Sequence, residues 1–160
     1  MRGRLRTLTT PLAAAAITAL LAALAAGTPI EAFVTMAAYG ERYVEAYPWL
    51  PYWRVAVAMF YLWLVASAFA SRKRMLLTWL MVTSTTAFAL AHYLHLYIVV
   101  LARGVRVELL PLLYRERYAE GVTLHLDLGQ VAIAATAAEL YLILRRPPRT
   151  ASSGRRTPSR

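Results

Sequence analysis

The stretch Phe88–Gly104, "FALAHYLHLYIVVLARG", decides the fold: it is apolar enough to sit in lipid, yet it carries His92 and His95 three residues apart. It closes the longest of four apolar runs, at roughly residues 10–27, 51–70, 75–101 and 122–144. A bilayer core needs about 20 mostly apolar residues per helical span, and each run is near that length. The chain has 160 residues, 59% hydrophobic and only 16% charged, with a mean hydropathy of +0.48. That composition excludes an ordinary soluble domain. The expectation is an all-α fold, an integral membrane four-helix bundle over residues 1–146. A disordered, basic, Pro-, Ser- and Arg-rich tail follows over 147–160.

The net charge of +10 is sorted along the chain. Arg2, Arg4 and Arg6 precede the first run, Arg72, Lys73 and Arg74 separate the second from the third, and Arg145, Arg146, Arg149, Arg155, Arg156 and Arg160 follow the fourth; no acid lies among them. The other two connections mix Glu31, Glu41 and Glu45 with Arg42, and Glu108, Glu116 and Glu120 with Arg103, Arg106, Arg115 and Arg117. By the positive-inside rule both termini are cytoplasmic and the protein is a multi-pass plasma-membrane protein. The basic runs are orientation signals and lipid headgroup contacts, with membrane lipid rather than nucleic acid as partner. The absence of cysteine excludes disulfides, thiolate catalysis and Cys-ligated metals. The first 27 residues also have the basic start and apolar body of a secretory signal. The apolar character resumes at "IEAFVTMAA" after Thr28 and Pro29, which fits one long kinked helix instead.

Tyr47, Trp49, Tyr52 and Trp53 fit an interfacial aromatic belt where the second span enters the bilayer. Arg54, just inside, would snorkel outward or pair with Glu31, Glu41 or Glu45. Residues 102–121 read as a mixed-charge external loop with breakers at Gly104, Pro111 and Gly121 and a short surface helix in "LLPLLYRERYAE".

At 100° per residue, Thr78, Thr85 and His92 form one stripe flanked by Ser84 and His95, and His125, Gly129, Ala132, Thr136 and Glu139 form a face of the fourth span, with Asp127 and Gln130 opposite. Counting about 1.5 Å per residue from Arg74 and Arg145 brings all three histidines to one outer level, and an antiparallel third and fourth span would bring them together. Three readings of that level stand. Histidine tolerates the wet interface without any ligand. Two imidazoles on facing helices suit the axial positions of a haem, with Ala91, Gly129 and Ala132 leaving room for the macrocycle. His92, His95 and His125, with Asp127 or Glu31, would alternatively hold Zn or Cu.

The fourth run, "GVTLHLDLGQVAIAATAAELYLILRR", is similar to the histidine-bearing fourth helix of one four-helix half of haem A synthase, and "FALAHYLHLYIVVLARG" to the helix before it. The layout resembles the compact archaeal members, which have a single set of four helices. The resemblance implies that His125 is an axial haem ligand and that an enzyme of this type would be an oxidoreductase acting on a haem methyl group. The family's second helix opens with Glu, two residues, then His-Arg; here "LPYWR" puts Leu50 and Trp53 in those places and keeps only Arg54. His92 or His95 would then supply the second ligand, and Arg54 would neutralise a propionate. The expected function is a haem-binding membrane protein of the respiratory or haem-maturation type. The alternatives are a non-catalytic membrane subunit or assembly factor, as a homodimer or in a larger respiratory complex, and a small transporter using Glu139, Thr136 and the "TSTT" cluster Thr83–Thr86.

Overall fold

The computed structural model describes residues 2–28, 47–118 and 121–145. In chain order the elements are α1 (Arg2–Gly27), α2 (Leu50–Phe69), α3 (Met75–Arg103), β1 (Arg106–Leu110), β2 (Leu113–Tyr118), β3 (Gly121–Leu126) and α4 (Leu128–Arg145). All four helices are long and apolar enough to cross a membrane.

Local chemistry sets the helix ends. Pro51 falls in the first turn of α2, where its missing N–H would have had no helical partner. The α2–α3 turn is closed by Thr78, whose Oγ1 donates to the Ser71 carbonyl (3.1 Å) and accepts the Ser71 N–H (3.2 Å). Gly104 ends α3 in the left-handed region, at φ 65°, and its N–H donates to the Val100 carbonyl at 2.9 Å. Glycine takes that conformation without a Cβ penalty.

α2 and α3 form the central pair, α1 lies against both, and α4 lies against α3. The core is Met59, Trp63 and Ala66 of α2, Met81, Phe88 and Ala91 of α3, Ala14 of α1 and Ala132 of α4. A polar seam sets how the helices are rotated against one another. The Trp63 indole N–H donates to Thr136 Oγ1 (2.9 Å), the Thr136 and Thr85 hydroxyls bond at 2.7 Å, and Ser67 Oγ donates to Glu139 Oε1 (2.7 Å). On the other flank the Thr18 and Thr83 hydroxyls join α1 to α3 at 2.7 Å. A buried polar group left without a partner costs about 1–3 kcal/mol, so turning one helix out of this seam breaks several bonds together. Of the stripe Thr78, Thr85 and His92, the two threonines are buried together with the flanking Ser84, while His92 and the flanking His95 are half-buried.

Two expectations are corrected. The fold is mostly helical but also contains an antiparallel sheet, ordered β1-β2-β3, where a loop with a surface helix was predicted. The fourth helix begins at Leu128, six residues later than the apolar run. The physical reason is the period. In Val122–Leu126 apolar and polar side chains alternate, which suits a strand, and Asp127 followed three residues later by Gln130 is a helix-start pair. His125 therefore stands on β3 and shares no helix face with Gly129. The continuation of the first helix past Thr28, the acidic partners suggested for Arg54, and the tail 147–160 lie outside the described residues.

Close approach of α4 to α3 depends on Gly129. A Cβ there would meet His92 Cδ2 at 3.0 Å, Asp127 Oδ1 at 3.1 Å and Tyr93 Cζ at 3.2 Å. Gly129→Ala is expected to lower stability by about 1–3 kcal/mol through overpacking, outweighing the gain of up to about 1 kcal/mol in helix propensity. Thermal unfolding in detergent, followed by circular dichroism, checks the sign.

Candidate functional site around Asp127

The sheet, the start of α4 and the last turns of α3 meet at Asp127, which is 0% exposed. Its carboxylate accepts the Gln130 backbone N–H at 3.0 Å, the Gln130 side-chain N–H at 2.9 Å and the Tyr93 hydroxyl at 3.1 Å. The first of these is an N-cap, satisfying a helix-terminal donor that has no partner inside the helix. Asp127 also donates its own N–H to the Leu112 carbonyl at 2.9 Å. Gln130 completes the hook on the hairpin: its Oε1 accepts the Leu112 N–H and its Nε2 donates to the Leu110 carbonyl, both at 2.9 Å. One carboxylate and one amide thus fasten the β1–β2 turn, α4 and α3 together.

His92 stands beside this clamp, its Nε2 3.5 Å from Asp127 Oδ1 and without a hydrogen bond. Its ring meets Phe88 (5.7 Å), Tyr93 (5.3 Å) and, edge-on, Tyr114 (6.2 Å between centroids). His125 is stacked on Tyr114 itself, with centroids 5.0 Å apart and planes inclined by 20°. Its Nε2 lies 3.0 Å from Thr123 Oγ1 and 3.6 Å from Glu116 Oε2. Glu116 is buried and accepts a hydrogen bond from the Tyr118 hydroxyl. His95 lies beside the Trp49 backbone, within electrostatic reach of Glu116 and Arg103, and its buried Nδ1 has no partner. The structure thus brings His92 and His125 to the Tyr114 ring, and leaves His95 within electrostatic reach of Glu116.

Arg54 is buried in α2 and its Nη1 donates to the Ala26 carbonyl at the end of α1, at 3.1 Å. A cation at a helix C-terminus is favourable against the backbone dipoles. Near the histidine level Arg103 lies over the Trp49 ring at 4.6 Å, tying the start of α2 to the end of α3.

A haem held by His125 and His92 or His95 does not fit these residues as they are arranged. Gly129 and Ala132, expected to leave room for the macrocycle, are in helix contact: His92 fills the space over Gly129, and Ala132 is fully buried. The Nε2 of His125 is directed at Thr123 and Glu116. Among the described residues no three His, Asp or Glu side chains converge closely enough to hold a metal ion.

Sequence reasoning missed Tyr93, Tyr114, Glu116, Tyr118 and Trp63. The alternation in "LYRERY" was the available signal for β2, since it puts Tyr114, Glu116 and Tyr118 on one face. For Trp63, an indole N–H in an apolar helix demands an acceptor, which Thr136 provides.

No protein-family model, curated protein or solved structure matches the chain.

Burial raises the Tyr114 phenol above its ordinary 10.0, with Glu116 and Asp127 adding to the shift. The hydrogen bond to Glu116 raises that of Tyr118 above the same value, with burial adding. A raised value means the neutral phenol is favoured in the folded state. Its contribution to stability is complete below the ordinary value and is lost as pH rises through the folded one. Alkaline titration followed by tyrosinate absorbance is expected to show late-ionising tyrosines in the native protein, and Glu116→Gln to return Tyr118 towards its ordinary range.

Proposed function

We propose that the chain is a four-span membrane protein with both termini on the cytoplasmic side, acting as a non-catalytic subunit or assembly factor within a larger membrane complex. The observation that supports this best is how the interior polar groups are used. Thr85, Thr136, Trp63, Ser67, Tyr93 and Gln130 all bond within the helix seam or the Asp127 clamp. These groups hold helices in register. Outward, α1 and α4 present Leu12, Leu20, Leu24, Ile133, Tyr141, Leu142 and Leu144, a surface suited to lipid or to neighbouring helices. The charge pattern supports the orientation: Arg72, Lys73, Arg74 and Arg145 cluster at one end, where Arg72 Nε donates to the Ile143 carbonyl at 2.6 Å.

The haem-binding reading is favoured by one observation, that His92 Nε2 and His95 Nδ1 are buried without hydrogen-bond partners. It requires Gly129 to part from His92. The transporter alternative rests on Glu139, whose Oε2 is also buried without a partner.

Because the chain contains no cysteine, single cysteines report topology without background. Lys73→Cys is expected to react with an impermeant maleimide only after the membrane is opened, and Glu108→Cys in intact cells. The opposite pattern would reverse the orientation. Purification in mild detergent is expected to bring down a stoichiometric partner and no Soret band after expression with haem supplied. A Soret band that His125→Ala abolishes would replace this reading with the haem one.

A further inference from the structure

The sheet has two faces of different character. The cross-strand register places Tyr114, Glu116 and His125 on the face turned to α3. The other face is built of three rows. Next to the α4 start lie Leu110, Leu113 and Leu126; the middle row is Glu108, Arg115 and Leu124; the far row is Arg106, Arg117 and Val122. On β3 this face is open: Val122 is 61%, Leu124 57% and Leu126 54% exposed. Three aliphatic side chains in line on an edge strand, which none of the described residues covers, are a contact surface.

Two observations say what covers it. The first is continuity. β3 passes into α4 through Asp127 alone, and Leu128 and Ile133 in the first turns of α4 are exposed as well. The helix surface proposed above to meet lipid therefore begins within a few residues of the aliphatic line of β3. The second is the order of the rows. Taking the α4 start as the edge of the hydrocarbon, the leucine row sits at that edge. At about 3.3 Å per residue, the middle and far rows stand at most about 7 and 13 Å above it. The headgroup layer is about 5–8 Å thick on each side, and long arginine side chains reach back towards it. Three arginines face one glutamate there. Glu108 lies 3.3 Å from Arg115 and 3.0 Å from Arg117, so the face keeps an excess of positive charge at phosphate height.

The hairpin tip agrees. The turn joining β1 and β2 is Pro111 and Leu112, and Leu112 takes the left-handed region, at φ 61°. Glycine is relaxed in that conformation and leucine is strained. Leu112 is nevertheless 48% exposed, at the level of Asp127, to which its carbonyl is bonded. A strained, exposed leucine at the membrane edge is accounted for if its side chain enters lipid.

We infer that this sheet is a lipid-seated platform: Leu112 and Leu126 enter the headgroup–acyl boundary of the outer leaflet, Leu124 lies among the headgroups with Val122 above them, and Arg106, Arg115 and Arg117 bind anionic phospholipid headgroups. The inference rests on the membrane-spanning reading. It adds that a segment outside the spans binds lipid and distinguishes lipid charge.

The test uses the full chain with a bimane label on single cysteines replacing Val122, Leu124 or Leu126, so that one poorly folded variant does not decide the outcome. Ile133→Cys on α4 and Thr123→Cys on the opposite face of β3 are the references. Vesicles are pure phosphatidylcholine or an equimolar mixture with phosphatidylglycerol, each with a lipid nitroxide near the headgroup or with aqueous iodide. The expected result is quenching by the lipid nitroxide at Leu124 and Leu126 severalfold above that at Thr123, with Val122 quenched less. Phosphatidylglycerol should increase it, and Arg115→Gln with Arg117→Gln should remove the increase. Iodide quenching at Leu124 and Leu126, with lipid quenching retained at Ile133, overturns the platform and leaves the spanning reading intact. Loss of lipid quenching at Ile133 as well overturns both. Labels at the three positions shielded from both quenchers mean a protein covers the face, which also overturns the proposal.

Discussion

A carboxylate removed from water must be given hydrogen-bond donors, and the arrangement of this protein at one end follows from how Asp127 obtains them. Burying an unpaired carboxylate is costly enough that it would not persist; here it takes donors from its own helix and from Tyr93 on α3. Gln130, held by the same carboxylate, bonds the end of β1 at Leu110 and the turn residue Leu112. Position along the chain and position in space are thereby linked. The strand β3 has to end and α4 has to begin at the residue where α3 presents Tyr93. Gly129 lets the two helices come close enough for this, and its lack of a side chain is a packing requirement at that one place.

Helix length explains why a sheet is needed there. α3 has 29 residues and α4 has 18, so at 1.5 Å per residue they extend about 43 and 27 Å. The shorter length is close to a bilayer core of about 30 Å, and α3 is longer than α4 by about three turns. The sheet packs alongside that excess. Strand edges with unpaired backbone groups do not occur in contact with hydrocarbon, because nothing there bonds them. In the proposed membrane-spanning arrangement the open edge of β3 would set the boundary of the lipid region near Asp127, the level reached by counting residues up from Arg74 to His92.

Much of this was legible in the sequence and some was not. The runs at 51–70 and 75–101 come within two residues of α2 and α3 because apolar length and the flanking Pro51 and Gly104 decide them locally. The fourth run misled because Val122, Leu124 and Leu126 add hydropathy that a strand and a helix share, and only their alternation separates the two. Its consequence was large. With His125 on a helix it pairs with His92 or His95 as two axial ligands, whereas on β3 its ring lies flat on Tyr114. The clamp itself was half visible. Asp127 and Gln130 have helix-start spacing, but the bond from Tyr93, 34 residues away in sequence, depends on helix pairing that no local pattern reports.

The claim on which the account depends is that the Asp127 carboxylate holds the hairpin turn and the start of α4 as one unit. Residue-resolved amide hydrogen exchange of the wild type and Asp127→Asn in the same detergent tests it most directly. The account predicts that the amides of Leu112, Asp127 and Gln130 are protected together in the wild type and lose protection together in the variant, while the α2–α3 amides around Met59 and Met81 are unchanged. Faster exchange confined to the first turn of α4, with Leu112 still protected, would contradict it.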